Sequence, residues 1–144
     1  VAFIDIRNLA SYNRAFGFEL GDELIQELVG QLCSVVGACG RDAFLGHIGD
    51  DRFMLVASPG RIRSIASKLC DGFDRRLRHN DRLVITSTGR PAPVGLRIAV
   101  CSDAFRRVDS LHDFYRLERL AHEQPCPGED STVLDISPSG ARVA

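Results

Sequence analysis

The run Ala43-Phe44-Leu45-Gly46-His47-Ile48-Gly49-Asp50-Asp51-Arg52-Phe53-Met54-Leu55-Val56-Ala57 holds two apolar, strand-like segments joined by a tight acidic turn. That pattern predicts a β-hairpin. Near the start of the chain, Val1-Ala2-Phe3-Ile4 is a further apolar run that stops at Asp5. If this strand lies beside the hairpin, Asp5 and Asp51 converge at neighbouring strand ends. Two carboxylates so placed are what a divalent cation carrying nucleotide phosphates requires. Asp50 and Arg52 flank Asp51, and neither suits that task.

Outward from the hairpin the periodicities are plain. Residues 1–6 read as a buried central strand. Residues 7–20 are a polar-aromatic connection whose first half forms one or two helical turns, stopped near Gly17. Leu24, Ile25, Leu28, Val29, Leu32, Cys33 and Val36 then recur at helical spacing, predicting an amphipathic helix of about four turns. Asp22 and Glu23 open it, and Gly37 and Gly40 end it. After the hairpin, Ser58-Pro59-Gly60 reads as a helix start. Ile62, Ile65, Ala66, Leu69, Cys70, Phe73 and Leu77 mark a second long helix. Arg75, Arg76, Arg78 and His79 close it as a solvated cationic end.

Leu83-Val84-Ile85-Thr86 is a short strand, and Gly89-Arg90-Pro91 breaks the chain. Residues 94–101 form another strand. A third helix over residues 110–123 turns Leu111, Phe114, Tyr115, Leu117, Leu120 and Ala121 inward. Pro125 to Gly128 is a loop, and residues 132–136 are a last strand. The order β-α-β-β-α-(β)-β-α-β predicts an α+β fold, a ferredoxin-like mixed sheet of about five strands with helices packed around it. The hairpin between βα units places those helices on one face.

Composition narrows the function. A chain of 144 residues reads as a single domain over its whole length, able to bury roughly two-thirds of its unfolded surface. Its apolar fraction is 44% and its charged fraction 26%, as in ordinary globular domains. A net charge of −1 offers nothing to a polyanion, so nucleic acid is not an expected partner. Lys68 is the sole lysine among 18 basic residues. Cys33, Cys39, Cys70, Cys101 and Cys126 are odd in number and lack Cys-x-x-Cys spacing. They read as reduced, buried thiols of a cytoplasmic protein. His47, His79, His112 and His122 share no zinc-ligand spacing. No apolar run approaches a membrane span and no signal peptide is visible. A chain that begins inside a strand without Met is expected to be a piece of a longer protein.

Four features align in order and spacing: Asp5 ending the first strand, Asn13 in the segment after it, Gly21-Asp22 at the first long helix, and the turn at 49–53. Together they resemble the GGDEF domains, the diguanylate cyclases. The family's first strand reads roughly Ile-Asp-Ile-Asp-x-Phe-Lys-x-x-Asn-Asp, against Ile4-Asp5-Ile6-Arg7-Asn8-Leu9-Ala10-Ser11-Tyr12-Asn13-Arg14 here. Its Gly-His-x-x-Gly-Asp falls on Gly17-Phe18-Glu19-Leu20-Gly21-Asp22. The signature Gly-Gly-Asp-Glu-Phe falls on Gly49-Asp50-Asp51-Arg52-Phe53, and a later Ser-Ile-Gly-Val strand on Arg97-Ile98-Ala99-Val100. Gly46-His47-Ile48-Gly49 before the turn is most similar to GGDEF domains that share a polypeptide with an EAL phosphodiesterase domain.

The resemblance implies a palm-type sheet and a site that joins two GTP molecules into cyclic di-GMP across an antiparallel homodimer. Asp5 and Asp51, helped by the Ile6 carbonyl, would hold Mg²⁺, which is needed only with bound nucleotide. Asn13 and Asp22 would hydrogen-bond the guanine edge. Other family positions are altered. Asp50 replaces the second signature glycine and sets a charge against a ligand of about four negative charges, and Arg52 replaces the signature Glu. Ala10, Pro125 and Glu129 stand where the family has phosphate-gripping cations. Arg41-Asp42 does not form the Arg-x-x-Asp product-inhibition motif.

Three functions are therefore open: a non-catalytic GGDEF module that regulates or dimerises a larger protein with EAL or sensor domains, with or without bound GTP; an active diguanylate cyclase; and a pure interaction domain. The altered positions favour the first, with GTP binding weak or absent and dependent on a divalent ion.

Overall fold

In the computed structural model, residues 1–78, 83–103, 108–126 and 130–136 are described. The sheet is built on β1 (Ala2–Arg7), an apolar run with five consecutive buried residues, as expected of a central strand. It pairs antiparallel with β3 (Arg52–Ala57) on one side and with β6 (Gly95–Val100) on the other. β2 (Ala43–Gly49) completes the hairpin with β3, and β7 (Thr132–Asp135) runs parallel to β6 at the far edge. The order is β2-β3-β1-β6-β7. Its first four strands are the split βαβ arrangement, so the α+β, ferredoxin-like expectation holds.

Two helices precede the hairpin, the first of them the helical turns expected before Gly17. α1 (Leu9–Phe16) is a full two-turn helix, ended by Gly17 at φ 94°. α2 (Phe18–Cys39) begins immediately after it. The helix thus starts a turn before Asp22, because Gly17 alone makes the break that a polar connection was expected to make. Gly37 lies inside α2, and Gly40 at φ 61° ends it by donating its N–H to the Gly37 carbonyl. α3 (Pro59–Arg78) follows the Ser58-Pro59 start signal. β4 (Leu83–Ile85) pairs with β5 (Pro91–Pro93) in a small separate ribbon. The Gly89-Arg90-Pro91 break is thus a turn. β5 can carry two prolines because such an edge needs few backbone donors.

α4 (Leu111–Glu123) is capped by Ser110, whose Oγ accepts from the Asp113 N–H at 3.2 Å. It corrects the one-face reading. Ala2, Ile4 and Ile6 pack with Leu24, Leu28, Leu32, Ile62, Leu69 and Phe73 of α2 and α3. The alternate residues Val1 and Phe3 pack with Leu117 and Ala121 of α4, together with Ala99, Cys101 and Ile136. Strand side chains alternate between faces, so the sheet is covered on both. α4 meets it through one narrow stripe of Phe114, Leu117 and Ala121. Leu111 (76% exposed) and Tyr115 (60% exposed) face solvent instead of the core.

All five cysteines are free; Cys70 and Cys101 are buried, but Cys33 is exposed. Burial pushes the Cys70 thiol up to about 12 and the Cys101 thiol up to about 11, which keeps both protonated and inert. Among the described residues no helix is long and apolar enough to cross a membrane.

Candidate functional site

The parity of β1 decides what Asp5 meets. Asp5 shares a face with Val1 and Phe3, the face that α4 covers. In the β1–β6 register it lies directly opposite Arg97. The guanidinium Nε donates to Asp5 Oδ2 at 2.9 Å and Nη2 approaches the same oxygen at 2.8 Å. His122, in the last turn of α4, sets Nδ1 3.2 Å from that oxygen and 2.8 Å from Arg97 Nη2. Arg97 Nη1 reaches the Gln124 carbonyl at 3.5 Å. Asp5 is 8% exposed, so this is a nearly buried ion pair that ties β1, β6 and the end of α4 together.

The hairpin brings Asp51 to the same place. Continuing the register in which Ile4 pairs with Phe53, Ile6 stands opposite Asp51 and Asp5 opposite Arg52. The Ile6 N–H donates to Asp51 Oδ2 at 3.1 Å, and the contact Ile6 makes here is through its N–H. Arg52 turns to α4 and pairs with Glu118 at 2.8 Å. Asp50 occupies the left-handed region at φ 49°, which Asp tolerates better than most residues. Its carbonyl lies 3.0 Å from His47 Nε2, and the His47 ring stacks on Phe53 at 4.9 Å. These contacts fix the turn.

Burial holds the Asp51 carboxyl above the usual carboxylate range; the Ile6 N–H opposes this, while the charges of Asp5 and Asp50 add to it. With the folded value raised, Asp51 costs nothing below its ordinary value of 3.8, where folded and unfolded chains are both protonated. Stability is lost as the pH rises through the folded value. Asp51→Asn, which retains an acceptor for the Ile6 N–H, is therefore expected to melt higher than the parent at pH 7 and alike at pH 3. The gap is small because the carboxyl is part-exposed and screened. Thermal melts across that range check it, and a variant that melts lower at pH 7 contradicts the argument.

Asp5, Ile6, Asn13 and Asp51 line one cleft of about 770 Å³, together with Arg7, Ala10, Ser11, Arg14, Arg97, His122, Pro125 and Cys126. Asp22 is exposed on α2 and is not among the lining residues. Neither is Asp50, which sits exposed at the turn tip. Glu129 lies outside the described residues, as does His79. Asn13 presses its amide on Gly21: a Cβ there would stand 1.9 Å from Asn13 Oδ1. That Oδ1 is buried against Gly21 without a hydrogen-bond partner.

Sequence reasoning missed the cations of this cleft. Arg97 was visible only as one residue of an apolar strand, and His122 was set aside for lack of ligand spacing. Their signal is the opposition of Asp5 and Arg97 across a strand pair, a register that no local pattern states. Among the described residues, no group of three or more His, Cys, Asp or Glu side chains could hold a metal ion. With Asp5 already paired, the donors as they stand do not fit Mg²⁺.

A split βαβ sheet with Asp5 and Asp51 near the ends of its central strand and hairpin is the palm-type arrangement that the resemblance implies. The family described as "Diguanylate cyclase, GGDEF domain" matches residues 1–101, and the chain belongs to it. The signaling protein YkoW of Bacillus subtilis (strain 168) is 28% identical over 92 residues, covering 60% of this chain and 11% of YkoW. The chain thus spans about a tenth of that relative's length. The GGDEF domain of DgcB from Caulobacter crescentus, solved in complex with c-di-GMP, superposes with a TM-score of 0.58 at 13% identity, covering 93% of this chain and 75% of that one. The GGDEF domain of YfiN (TpbB) from Pseudomonas aeruginosa gives 0.54 at 19% identity, covering 94% and 80%. At such identities the likeness is one of fold.

Proposed function

We propose that this is a non-catalytic GGDEF domain of cyclic di-GMP signalling, serving as a regulatory or dimerising module of a larger cytoplasmic polypeptide. The observation that carries the reading is the fate of the site's charges. Asp5 is held by Arg97 and His122, and Arg52, at the signature acid's position, is held by Glu118. Electrostatic stabilisation is usually the largest catalytic contribution in phosphoryl transfer, and here those charges are spent within the protein. The Gly46-His47-Ile48-Gly49 run supports an attached EAL domain, whose activity this module would tune. Asn13 lines the cleft beside Asp5 and Asp51, which supports residual recognition of a guanine edge, so GTP binding is weak or absent.

The test is direct. The purified domain, incubated with GTP and Mg²⁺ or Mn²⁺, is expected to yield no cyclic di-GMP by chromatography. Product formation that Asp51→Ala abolishes would establish the competing reading, an active cyclase, which the convergence of Asp5 and Asp51 in one cleft favours.

A further inference from the structure

We propose that Arg97 is a resident cation standing in for the divalent metal, and that it shuts the cleft to metal ions until it is removed. The inference deepens the non-catalytic reading and rests on it.

Asp5 Oδ2 receives Arg97 Nε at 2.9 Å and Nη2 at 2.8 Å, with His122 Nδ1 at 3.2 Å. Mg²⁺ needs ligand oxygens at about 2.1 Å in near-octahedral geometry. It could take this carboxylate only by expelling the guanidinium or by sitting against it. Expulsion is opposed from several sides. Arg97 is placed by strand register directly opposite Asp5, its side chain is only 15% exposed, and its remaining donors reach His122 Nδ1 and the Gln124 carbonyl. It is a built part of the sheet rather than a surface side chain that swings away. Coexistence would set a divalent and a monovalent cation on one carboxylate, with Asp51 alone to offset them.

The same contacts have a second consequence. His122 and Gln124 are drawn onto β6, which fixes the stretch leading to Pro125 and Cys126 along the cleft rim. The pairing therefore sets the shape of the cleft as well as its charge, with or without a ligand.

Mn²⁺ alone is the probe, read by the loss of its free-ion electron paramagnetic resonance signal on titration with the purified protein. The parent is expected to leave the signal unchanged at millimolar Mn²⁺. Arg97→Ser is expected to bind Mn²⁺ at least tenfold more tightly than the parent, and Arg97→Ser/Asp51→Ala to lose that gain. Arg97→Lys keeps the charge and is expected to behave as the parent. If Arg97→Ser does not fold by circular dichroism, Arg97→Gln, neutral and of similar reach, takes its place under the same expectation. Asp51-dependent Mn²⁺ binding by the parent overturns the proposal, and so does a folded neutral variant with no gain. Mn²⁺ binding by the parent without cyclic di-GMP formation would sink this inference alone, whereas turnover of GTP would sink the functional reading beneath it.

Discussion

Replacing Asp5 by alanine is expected to destabilise the domain by about 3 kcal/mol in a buffer free of divalent ions, because removing one partner of a buried ion pair strands the other charge. In a domain of this size that corresponds to a fall in Tm of roughly 10 °C. Arg97 and Asp5 have side chains only 15% and 11% exposed, so neither recovers full hydration when its partner goes. His122 Nδ1 lies 3.2 Å from the same oxygen and 2.8 Å from Arg97 Nη2, packing against the pair. The double variant Asp5→Ala/Arg97→Ala is expected to regain part of the loss, since no stranded charge remains. The sign of the single effect is decisive. A carboxylate kept only for a metal would sit unpaired beside Asp51 in metal-free buffer, and its removal would relieve like-charge repulsion. Stability would then rise. Urea unfolding of the parent and the two variants measures the difference, and an Asp5→Ala variant as stable as the parent would show that the Arg97 pair does not hold this site together.

Much of this architecture is legible in the sequence because it rests on local periodicity. The hairpin at 43–57, the apolar run of β1 and the stripes of α2 and α3 are each written in spacing of two or of three and four. What is not legible is which helix covers which face. Val1, Phe3 and Asp5 share a parity with each other, but only the tertiary fold places α4 over them. Hence Asp5 was read as facing Asp51 and a metal, when its nearest neighbours are Arg97 and His122. Leu111 and Tyr115 were read as inward for the same reason: helical spacing marks an apolar stripe but not how wide a contact the partner surface offers. β5 was missed because two prolines in three residues argue against a strand unless the strand lies at an edge. Of the guanine-contact candidates, Asn13 lies in the cleft and Asp22 does not, and although the stop near Gly17 was legible, the start of α2 at the very next residue was not.

Tyr12→Ala is expected to cost about 3–4 kcal/mol, the range of large aromatic truncations in cores, and to loosen the cleft wall with it. Tyr12 is fully buried, and its ring lies 4.9 Å from that of Phe16. α1 has only eight residues and no side-chain cap at its start, and so short a helix does not persist on propensity alone. Its anchors are Tyr12 within the main core, Leu9 packed against that core, and the Asn8 side chain, which donates to the Pro93 carbonyl at 3.0 Å. The wall residues Ala10, Ser11, Asn13 and Arg14 are carried by this helix, so the lost ring is felt on the opposite side of α1 from where it packs. Tyr12→Phe keeps the ring in place and is expected to lose far less. Urea unfolding gives the stability term, and limited proteolysis between residues 8 and 20 gives the local one, with cleavage there expected to quicken in Tyr12→Ala well before the domain unfolds. A variant that loses less than about 1 kcal/mol and resists cleavage like the parent would mean that Leu9 and the Asn8 bond hold α1 without the tyrosine.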